Sequence, residues 1–353
     1  MVVYTSQGVH RWLTYVRRMQ HWCLPSLSMV LSVLPNNVEP GFSRTMNEQL
    51  QTRFIEANGQ AFETLTAGSG ERVALCLHGF PEHACSWRFQ MQHLAGLGFE
   101  VWAPNLRGYG RSSRPPRMRD YSIELLMQDV AGLIDAAGGR PVTLLAHDWG
   151  AVIAWYFAMR RLRPLERLVI INVPHPAVMA REVRDSGRQR RKSWYVLFFQ
   201  LPFIPELLMG RDNGHVLARM MRDTASHPER FDNATLQTLA ENIGRPGGLT
   251  AMINYYRALV FGGGSRRQAR IGYPKIQTPT LMLWGEQDMA LEKSCTYGTE
   301  AYVSDLTVRY LPGISHWAQQ DDPDNVNAML SGFLSGAAVP HAPGTDALTG
   351  DIG

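Results

Sequence analysis

Short continuous apolar runs alternate along the chain with stretches in which apolar residues recur at helical spacing. Two runs, at 53–56 and 61–65, flank Asn58 and Gly59 and predict a β-hairpin, because Asn-Gly is a strong two-residue turn signal. Six further runs predict strands at 73–77, 100–103, 141–146, 168–172, 280–284 and 307–311. Helical spacing predicts helices at 87–97, 122–137, 151–160 and 323–335.

This order of elements predicts the fold class and the domain organisation. Strands that alternate with helices over short links are typical of an α/β domain with a mostly parallel, doubly wound sheet. Between residues 175 and 270 the pattern changes to helix-like segments rich in Arg, Met and Pro. We interpret 175–270 as an inserted helical lid on a core formed by 46–174 and 271–338. Residues 339–353, rich in Gly, Ala, Pro and Thr, are expected to form a flexible tail.

Residues 1–45 form an N-terminal extension that differs from the rest of the chain. Apolar positions in 12–19 follow helical spacing among arginines, and the apolar run 22–34 is interrupted by Pro25. That run is shorter than the about 17–25 residues of a membrane-spanning helix. It resembles the apolar part of a signal peptide but lacks the small-x-small cleavage site. Three interpretations stay open: a translation start placed upstream of Met46, an export signal or membrane-surface anchor, and an ordered extension.

Composition adds broad limits. The 353 residues are 45% apolar and 19% charged, which excludes a disordered or fibrous chain. A net charge of +4 does not by itself indicate nucleic-acid binding. Four cysteines without a CxxC pair indicate neither a disulfide scaffold nor a metal site. We therefore expect a cytoplasmic protein, with export left open by the signal-like N-terminus.

The turn after the predicted strand 141–146 carries the strongest chemical signal. Its pentapeptide, AHDWG at 146–150, has small residues at both ends of a sharp strand-to-helix turn and Asp148 at its centre. Such a turn presents the central side chain above the edge of the sheet, at the N-terminus of the following helix. The pentapeptide therefore predicts that Asp148 is a nucleophile. The alternative is that Asp148 only caps the helix.

Three other strand ends supply the remaining parts of a nucleophilic site. HGFPE at 78–82 follows a buried strand, so the backbone amides of Phe80 and Trp149 are candidate oxyanion-hole donors. Asp288 and His316 follow the next two predicted strands. Nucleophile, acid and histidine thus occur in the chain order typical of such a site, which predicts that Asp148, Asp288 and His316 form a catalytic triad.

The sequence resembles the epoxide hydrolases of the α/β-hydrolase fold over residues 48–336. The resemblance is carried by HGFPE, Trp87, RGYGRS at 107–112, HDWGA at 147–151, GEQD at 285–288, SHW at 315–317 and tyrosines in the lid. HDWG alone is less specific, because haloalkane dehalogenases share it. Ser315 departs from the glycine that often precedes the family's histidine, which concerns the shape of the loop and leaves the imidazole of His316 in place.

A carboxylate nucleophile suits attack on a saturated carbon. It leaves an ester on Asp148, and water activated by His316 can then attack the carbonyl of that ester. A serine in its place would leave an ether, which activated water cannot cleave. No metal or organic cofactor is required. The resemblance implies that this chemistry opens an epoxide, which makes the chain a hydrolase acting on ether bonds.

The leaving group distinguishes the epoxide reaction from dehalogenation. An epoxide oxygen leaves as an alkoxide and needs a proton, which a tyrosine can donate because its ordinary pKa is near 10. By the resemblance, Tyr195 and Tyr256 would hold the epoxide oxygen, with Tyr255 as an alternative to Tyr256. A haloalkane dehalogenase stays the alternative function, although Phe80 stands where many dehalogenases carry Asn. A non-catalytic binding protein on the same fold is the third hypothesis.

The apolar side chains of the lid predict an apolar substrate pocket. We expect Phe198, Phe199 and Trp317 to contact substrate, and further apolar lid residues to contribute to the pocket: Leu201, Phe203, Leu207, Leu208, Met220 and Met221. The expected partners are a small apolar epoxide and water. We expect no nucleic acid, and no membrane contact beyond the N-terminal extension. The basic run 188–192 is interpreted as a solvated face of the lid, with an anionic partner as the alternative.

Overall fold

A single eight-stranded sheet organises the chain. The computed structural model describes residues 50–344, so the expectations for residues 1–45 lie outside the described part. The strands are β1 (Gln51–Ala57), β2 (Gln60–Ala67), β3 (Arg72–Leu77), β4 (Phe99–Pro104), β5 (Val142–His147), β6 (Arg167–Ile171), β7 (Thr280–Gly285) and β8 (Leu306–Leu311). Their spatial order is β1-β2-β4-β3-β5-β6-β7-β8. The pairs β1–β2 and β2–β4 are antiparallel and the other five are parallel.

The antiparallel edge of the sheet is made by the predicted hairpin. Ala57 pairs with Gln60 across a two-residue loop. Both loop residues have positive φ, +51° at Asn58 and +66° at Gly59, as a type I′ turn requires. The predicted hairpin is therefore confirmed.

Thirteen α-helices follow in the described part of the chain. Five belong to the core: α1 (Arg88–Gly96), α2 (Ile123–Ala136), α3 (Trp149–Arg160), α12 (Ala318–Asp321) and α13 (Pro323–Ser335). Side chains of α2 and α3 form one apolar cluster with the sheet, and side chains of α1 and α13 form another. Both faces of the parallel sheet are thus covered, which explains why its strands read as continuous apolar runs. No helix of residues 50–344 is long and apolar enough to cross a membrane.

The insertion between β6 and β7 is helical throughout. It comprises α4 (Pro176–Asp185), α5 (Gly187–Lys192), α6 (Trp194–Phe198), α7 (Ile204–Met209), α8 (His215–Asp223), α9 (Asn233–Gly244), α10 (Gly248–Val260) and α11 (Gly264–Ile271). Short 3₁₀ segments lie within this insertion at Asp212–Gly214 and Pro228–Arg230. Others lie outside the lid at Ala84–Trp87, Met118–Tyr121, Lys293–Thr296 and Thr299–Ala301. The helices of this lid lie close to the predicted bounds of 175–270.

The first part of the expected flexible tail packs against the core. Val339 and Ala342 are buried against the core, and the Arg309 guanidinium donates to the Val339 carbonyl over 2.9 Å. These contacts hold the chain against the core up to Ala342, so the prediction is wrong for this part of 339–353. Residues 345–353 lie outside the described part.

A buried ion pair anchors α2 to the loop after β4. Arg107 Nε donates to Asp129 Oδ2 over 2.7 Å, and Asn58 Nδ2 donates to Asp129 Oδ1 over 2.8 Å. Both charged side chains are almost fully buried. Removing one member of such a pair leaves the other charge without compensation in a medium of low polarity.

We expect Asp129→Ala to lower the free energy of unfolding by about 3–5 kcal/mol, because it strands the buried Arg107 guanidinium. Urea unfolding followed by circular dichroism measures this loss. Asp135→Ala is the matched control on the same helix, since Asp135 forms a solvent-exposed pair with Arg163. The control should change the unfolding midpoint little. Equal effects of the two substitutions would contradict the importance of burial.

Candidate active site

Asp148 lies at a strained turn between β5 and α3. Its backbone has φ +45° and ψ −121°, a region that residues with a side chain rarely occupy. Glycines make room for the turn: a Cβ atom at Gly150 would lie 2.3 Å from the Leu77 carbonyl oxygen, and one at Gly79 would lie 2.3 Å from Asp148 Cβ. The Asp148 side chain makes no capping hydrogen bond to α3. The helix-cap interpretation is therefore wrong.

The two carboxylate oxygens of Asp148 have different surroundings. Oδ1 accepts a hydrogen bond of 2.6 Å from the Phe80 amide, as expected for an oxyanion-hole donor. Oδ2 lies 3.6 Å from His316 Nε2. The Trp149 amide, the second predicted donor, begins α3 but makes no hydrogen bond to Asp148 in the described part of the chain, so its role stays a prediction.

Asp288 and His316 meet as the sequence predicts. His316 Nδ1 lies 2.6 Å from Asp288 Oδ2, which also accepts from Asn172 Nδ2 over 2.9 Å. Asp288 Oδ1 accepts from the amides of Ala290 and Leu291. Burial acts to raise the pKa of Asp288, but the neighbouring His316 and these hydrogen bonds hold that pKa below its ordinary value. Asp288 is therefore a fixed negative charge beside the imidazole.

His316 lies between two carboxylates. Burial alone would lower the pKa of His316, but Asp288 on one side and Asp148 on the other raise that pKa well above its ordinary 6.5. In the resting site the imidazole is thus held in its charged form at neutral pH. Its charge depends on two partners, of which Asp148 is the predicted nucleophile.

His147 lies behind Asp148 as a hydrogen-bonding support, and its pairing with Glu82 is a feature that the sequence did not reveal. His147 Nδ1 lies 2.7 Å from Glu82 Oε2, and His147 Nε2 lies 2.8 Å from the His316 carbonyl oxygen. Burial opposes ionisation of Glu82, but His147 and the Gly79 amide lower the Glu82 pKa to about 2. Both ring nitrogens of His147 thus lie within hydrogen-bond distance of an oxygen atom. This pair joins the loop that holds Phe80 to the loop that holds His316.

The lid holds the loop that carries Asp288. Gln189 Nε2, on α5, donates to the Ala290 carbonyl over 3.0 Å, and Gln189 Oε1 accepts from the Glu292 amide over 2.9 Å. Lys192 Nζ, on the same helix, donates to the Asp288 carbonyl over 2.7 Å. Helix α5 therefore positions the acid of the triad through three hydrogen bonds.

Two tyrosines of the lid face the nucleophile. Tyr195 on α6 and Tyr256 on α10 line the same cavity as Asp148, with ring centroids 6.0 Å apart. Tyr255 instead donates its hydroxyl to the Arg107 carbonyl over 2.7 Å and is fully buried outside that cavity. Burial raises the pKa of Tyr195 and of Tyr256, and the Asp148 charge adds to the effect. Both phenols therefore keep their protons at neutral pH.

The cavity beneath the lid has a volume of about 610 Å³ and a mostly apolar wall. Besides the groups already described, this wall includes Val152, Tyr156, Val173, Met179, Leu259 and Tyr273. The three expected substrate contacts, Phe198, Phe199 and Trp317, do not line it. Phe199 packs behind Tyr256 with ring centroids 4.7 Å apart, and Trp317 packs on His316 at 5.0 Å. These two side chains support the groups that face the cavity.

The wider prediction for the lid also needs correction. Phe203, Leu207, Leu208 and Met220, expected to contribute to an apolar pocket, are exposed on the outside of the lid. Short helices with apolar residues on several sides do not show by spacing alone which side faces inward. The cavity wall is formed instead by α4, α6, α10 and the core, with Arg190 of α5 and Ser265 of α11 at its mouth.

Comparison with known proteins agrees with this geometry. Residues 73–323 match the alpha/beta hydrolase fold family. The chain is 36% identical over 266 residues to epoxide hydrolase 2 of Caenorhabditis elegans, covering 74% of each protein. It is 33% identical over 289 residues to human epoxide hydrolase 4, covering 79% of this chain and 77% of that protein. A crystal structure of an epoxide hydrolase from Bacillus megaterium, in complex with an inhibitor, superposes with a TM-score of 0.73 at 30% identity. That comparison covers 80% of this chain and all of the other.

The parallel sheet, the strained turn at Asp148 and the family match define an α/β-hydrolase. Within that class, the chain belongs to the epoxide hydrolase family. The predicted fold, family and enzyme class are confirmed.

We expect Asp148→Asn to lower the pKa of His316, because the amide removes one of the two negative charges beside the imidazole. An NMR titration of the His316 ring, compared between the wild-type protein and the variant, measures the shift. Because the folded-state pKa exceeds the ordinary value, stabilisation by the charged imidazole is present below about pH 6.5. It is lost as pH rises through the folded-state pKa. An unchanged titration would show that Asp148 does not hold the proton on His316.

Proposed function

We propose that the chain hydrolyses an apolar epoxide to a vicinal diol through an ester on Asp148. The observation that carries this proposal is the position of Asp148, with His316 at 3.6 Å and with Tyr195 and Tyr256 on the wall of the same cavity. A nucleophile and two proton donors thus share one cavity, and a base lies next to the nucleophile.

Asp148 Oδ2 attacks a ring carbon of the epoxide, and the bond between that carbon and the ring oxygen breaks. The ring oxygen takes a proton or a strong hydrogen bond from Tyr195 and Tyr256. Oδ1, which accepts from the Phe80 amide, becomes the carbonyl oxygen of the ester. The same amide stabilises the negative charge that develops on this oxygen when water attacks the ester carbon.

Formation of the ester changes the charge around His316. The Asp148 carboxylate loses its negative charge, so one of the two groups that raise the His316 pKa is removed. The imidazole therefore releases its proton more readily. This proton neutralises the tyrosinate or the alkoxide that the first step leaves. Neutral His316, oriented by Asp288, then takes a proton from water. The first chemical step therefore prepares the base for the second.

The tyrosine pair also bears on the dehalogenase alternative. A halide ion leaves without a proton and needs only weak N–H donors, whereas an alkoxide needs a proton donor. Two protonated phenols on the cavity wall suit the alkoxide. The apolar wall and the volume of about 610 Å³ favour an apolar epoxide as substrate. We propose that Val152, Tyr156 and Leu259 contact its apolar part, in place of Phe198, Phe199 and Trp317.

His316→Gln should form the ester and hydrolyse it about 10²–10⁴-fold more slowly, because the general base is lost while the nucleophile remains. Intact-mass measurement after mixing with an epoxide should show a lasting adduct of the substrate's mass. Asp148→Asn is the control, since it removes the nucleophile and should show no adduct. A folded His316→Gln protein that forms no adduct and no diol would refute the assigned role.

Tyr195→Phe and Tyr256→Phe should each slow formation of the ester, and the double variant should lose about 10²–10⁴-fold in kcat. Stopped-flow measurement of the first turnover separates this step from ester hydrolysis, which uses His316. Tyr255→Phe is the matched control, because its hydroxyl bonds to the Arg107 carbonyl and not to the cavity. Undiminished epoxide turnover in a folded double variant would contradict the proposal. Halide release from haloalkanes at wild-type epoxide rates would favour the dehalogenase.

A further inference from the structure

Large apolar side chains are exposed on the outer side of the lid. Phe203 is 83% exposed and Leu197 71%, and Trp194, Leu207 and Phe261, close to them along the chain or through α10, are at least half exposed. We name this set the lid patch: Trp194, Leu197, Phe203, Leu207 and Phe261. Single exposed apolar residues are common on protein surfaces, but a group of them on connected elements indicates a binding surface.

The lid patch belongs to one connected part of the lid. The Arg257 guanidinium, on α10, donates to the carbonyls of Phe199 and Leu201 and pairs with Glu206 at 2.6 Å. These bonds tie the segment 194–209, which carries four residues of the patch, to α10. Phe261, the fifth residue, directly follows the end of α10.

The lid patch lies beside the mouth of the substrate cavity. Four residues of the cavity wall, Ala180, Arg190, Leu197 and Ser265, are also exposed to solvent, which places the mouth at these side chains. Leu197 is part of both the wall and the patch. Val260, another wall residue, precedes Phe261.

The same lid carries an excess of positive charge. Residues 176–271 contain fifteen arginine and lysine residues and eight aspartate and glutamate residues, although the whole chain has a net charge of only +4. The positive charge of the protein is therefore concentrated in the lid. Within residues 50–344, several exposed lid arginines form no ion pair: Arg188, Arg190, Arg191, Arg266 and Arg270.

We propose that the outer side of the lid binds an anionic phospholipid surface. Apolar side chains that enter the boundary of a bilayer, flanked by arginines that contact lipid phosphates, are the combination by which proteins bind such surfaces. A second copy of the chain fits less well, because two faces of like charge repel each other. The cavity mouth would then open towards the lipid, from which an apolar epoxide enters without crossing water.

Vesicle sedimentation of the full-length chain tests this proposal. We expect binding to vesicles of phosphatidylcholine and phosphatidylglycerol, little binding to phosphatidylcholine alone, and weaker binding as NaCl is raised. The triple variant Phe203→Ser, Leu207→Ser, Phe261→Ser should reduce binding at least about tenfold, since each buried CH₂ group contributes about fourfold. A second triple variant, Arg188→Gln, Arg191→Gln, Arg266→Gln, should also reduce it, by about fivefold per arginine near the surface.

The control is the double variant Arg53→Gln, Phe54→Ser on the edge strand β1. It removes one exposed charge and one exposed ring at positions far from the lid patch in the chain. It should bind as the wild type does. None of the substituted lid residues lines the cavity, so turnover of a water-soluble epoxide should be kept and shows that the variants are folded. Vesicle binding is measured without substrate and is independent of the proposed reaction.

Three results would overturn the proposal. The first is failure of the wild-type chain to bind anionic vesicles. The second is binding of both triple variants as strong as that of the wild type, which would assign the contact to another surface such as residues 1–45. The third is a concentration-dependent dimer in analytical ultracentrifugation that the apolar variant abolishes, together with no vesicle binding. That result would assign the patch to a second copy of the chain.

Discussion

The positive φ of Asp148 is the constraint on which the rest of the site depends. A residue with a side chain in such a conformation costs about 1–3 kcal/mol, and it persists only where the surroundings enforce it. Here the backbone packs so closely that only glycine fits at positions 150 and 79, beside the Leu77 carbonyl and Asp148. This packing holds the turn in its conformation. As a result, the Asp148 carboxylate does not cap α3 but lines the cavity. The oxyanion donor, the base and the two phenols are all placed relative to this one side chain.

Two imidazoles with different electrostatic tasks flank that carboxylate. Both nitrogens of His147 are engaged by fixed partners, the Glu82 carboxylate and the His316 carbonyl. His316 lies between Asp288 and Asp148, and in the proposed reaction only Asp148 loses its charge. The first imidazole therefore gives the site rigidity, and the second responds to chemistry. Their rings lie 4.7 Å apart, so the rigid pair directly supports the responsive one.

The sequence was sufficient for the fold and for the meeting of Asp148, Asp288 and His316, because both follow from strong local signals. Strands with both faces covered read as apolar runs, and Asp148, Asp288 and His316 each follow a strand at the same edge of the sheet. The Glu82–His147 pair depends on the approach of two loops far apart in the chain, which no local pattern encodes. The side of each lid helix that faces the cavity was harder still to predict. Its helices carry apolar residues on several sides, so spacing could not tell Val196, which lines the cavity, from Phe203, which faces solvent.

The hydrogen bonds from Gln189 and Lys192 to the Asp288 loop have a consequence for how the lid can be exchanged. The lid is an insertion, and insertions are often regarded as free to vary independently of the core. In this chain, however, helix α5 forms part of the support for the Asp288 loop. A lid transferred from another protein without matching residues at 189 and 192 removes these hydrogen bonds. A transplant of the lid therefore has to include residues 288–292, which lie about a hundred residues further along the sequence.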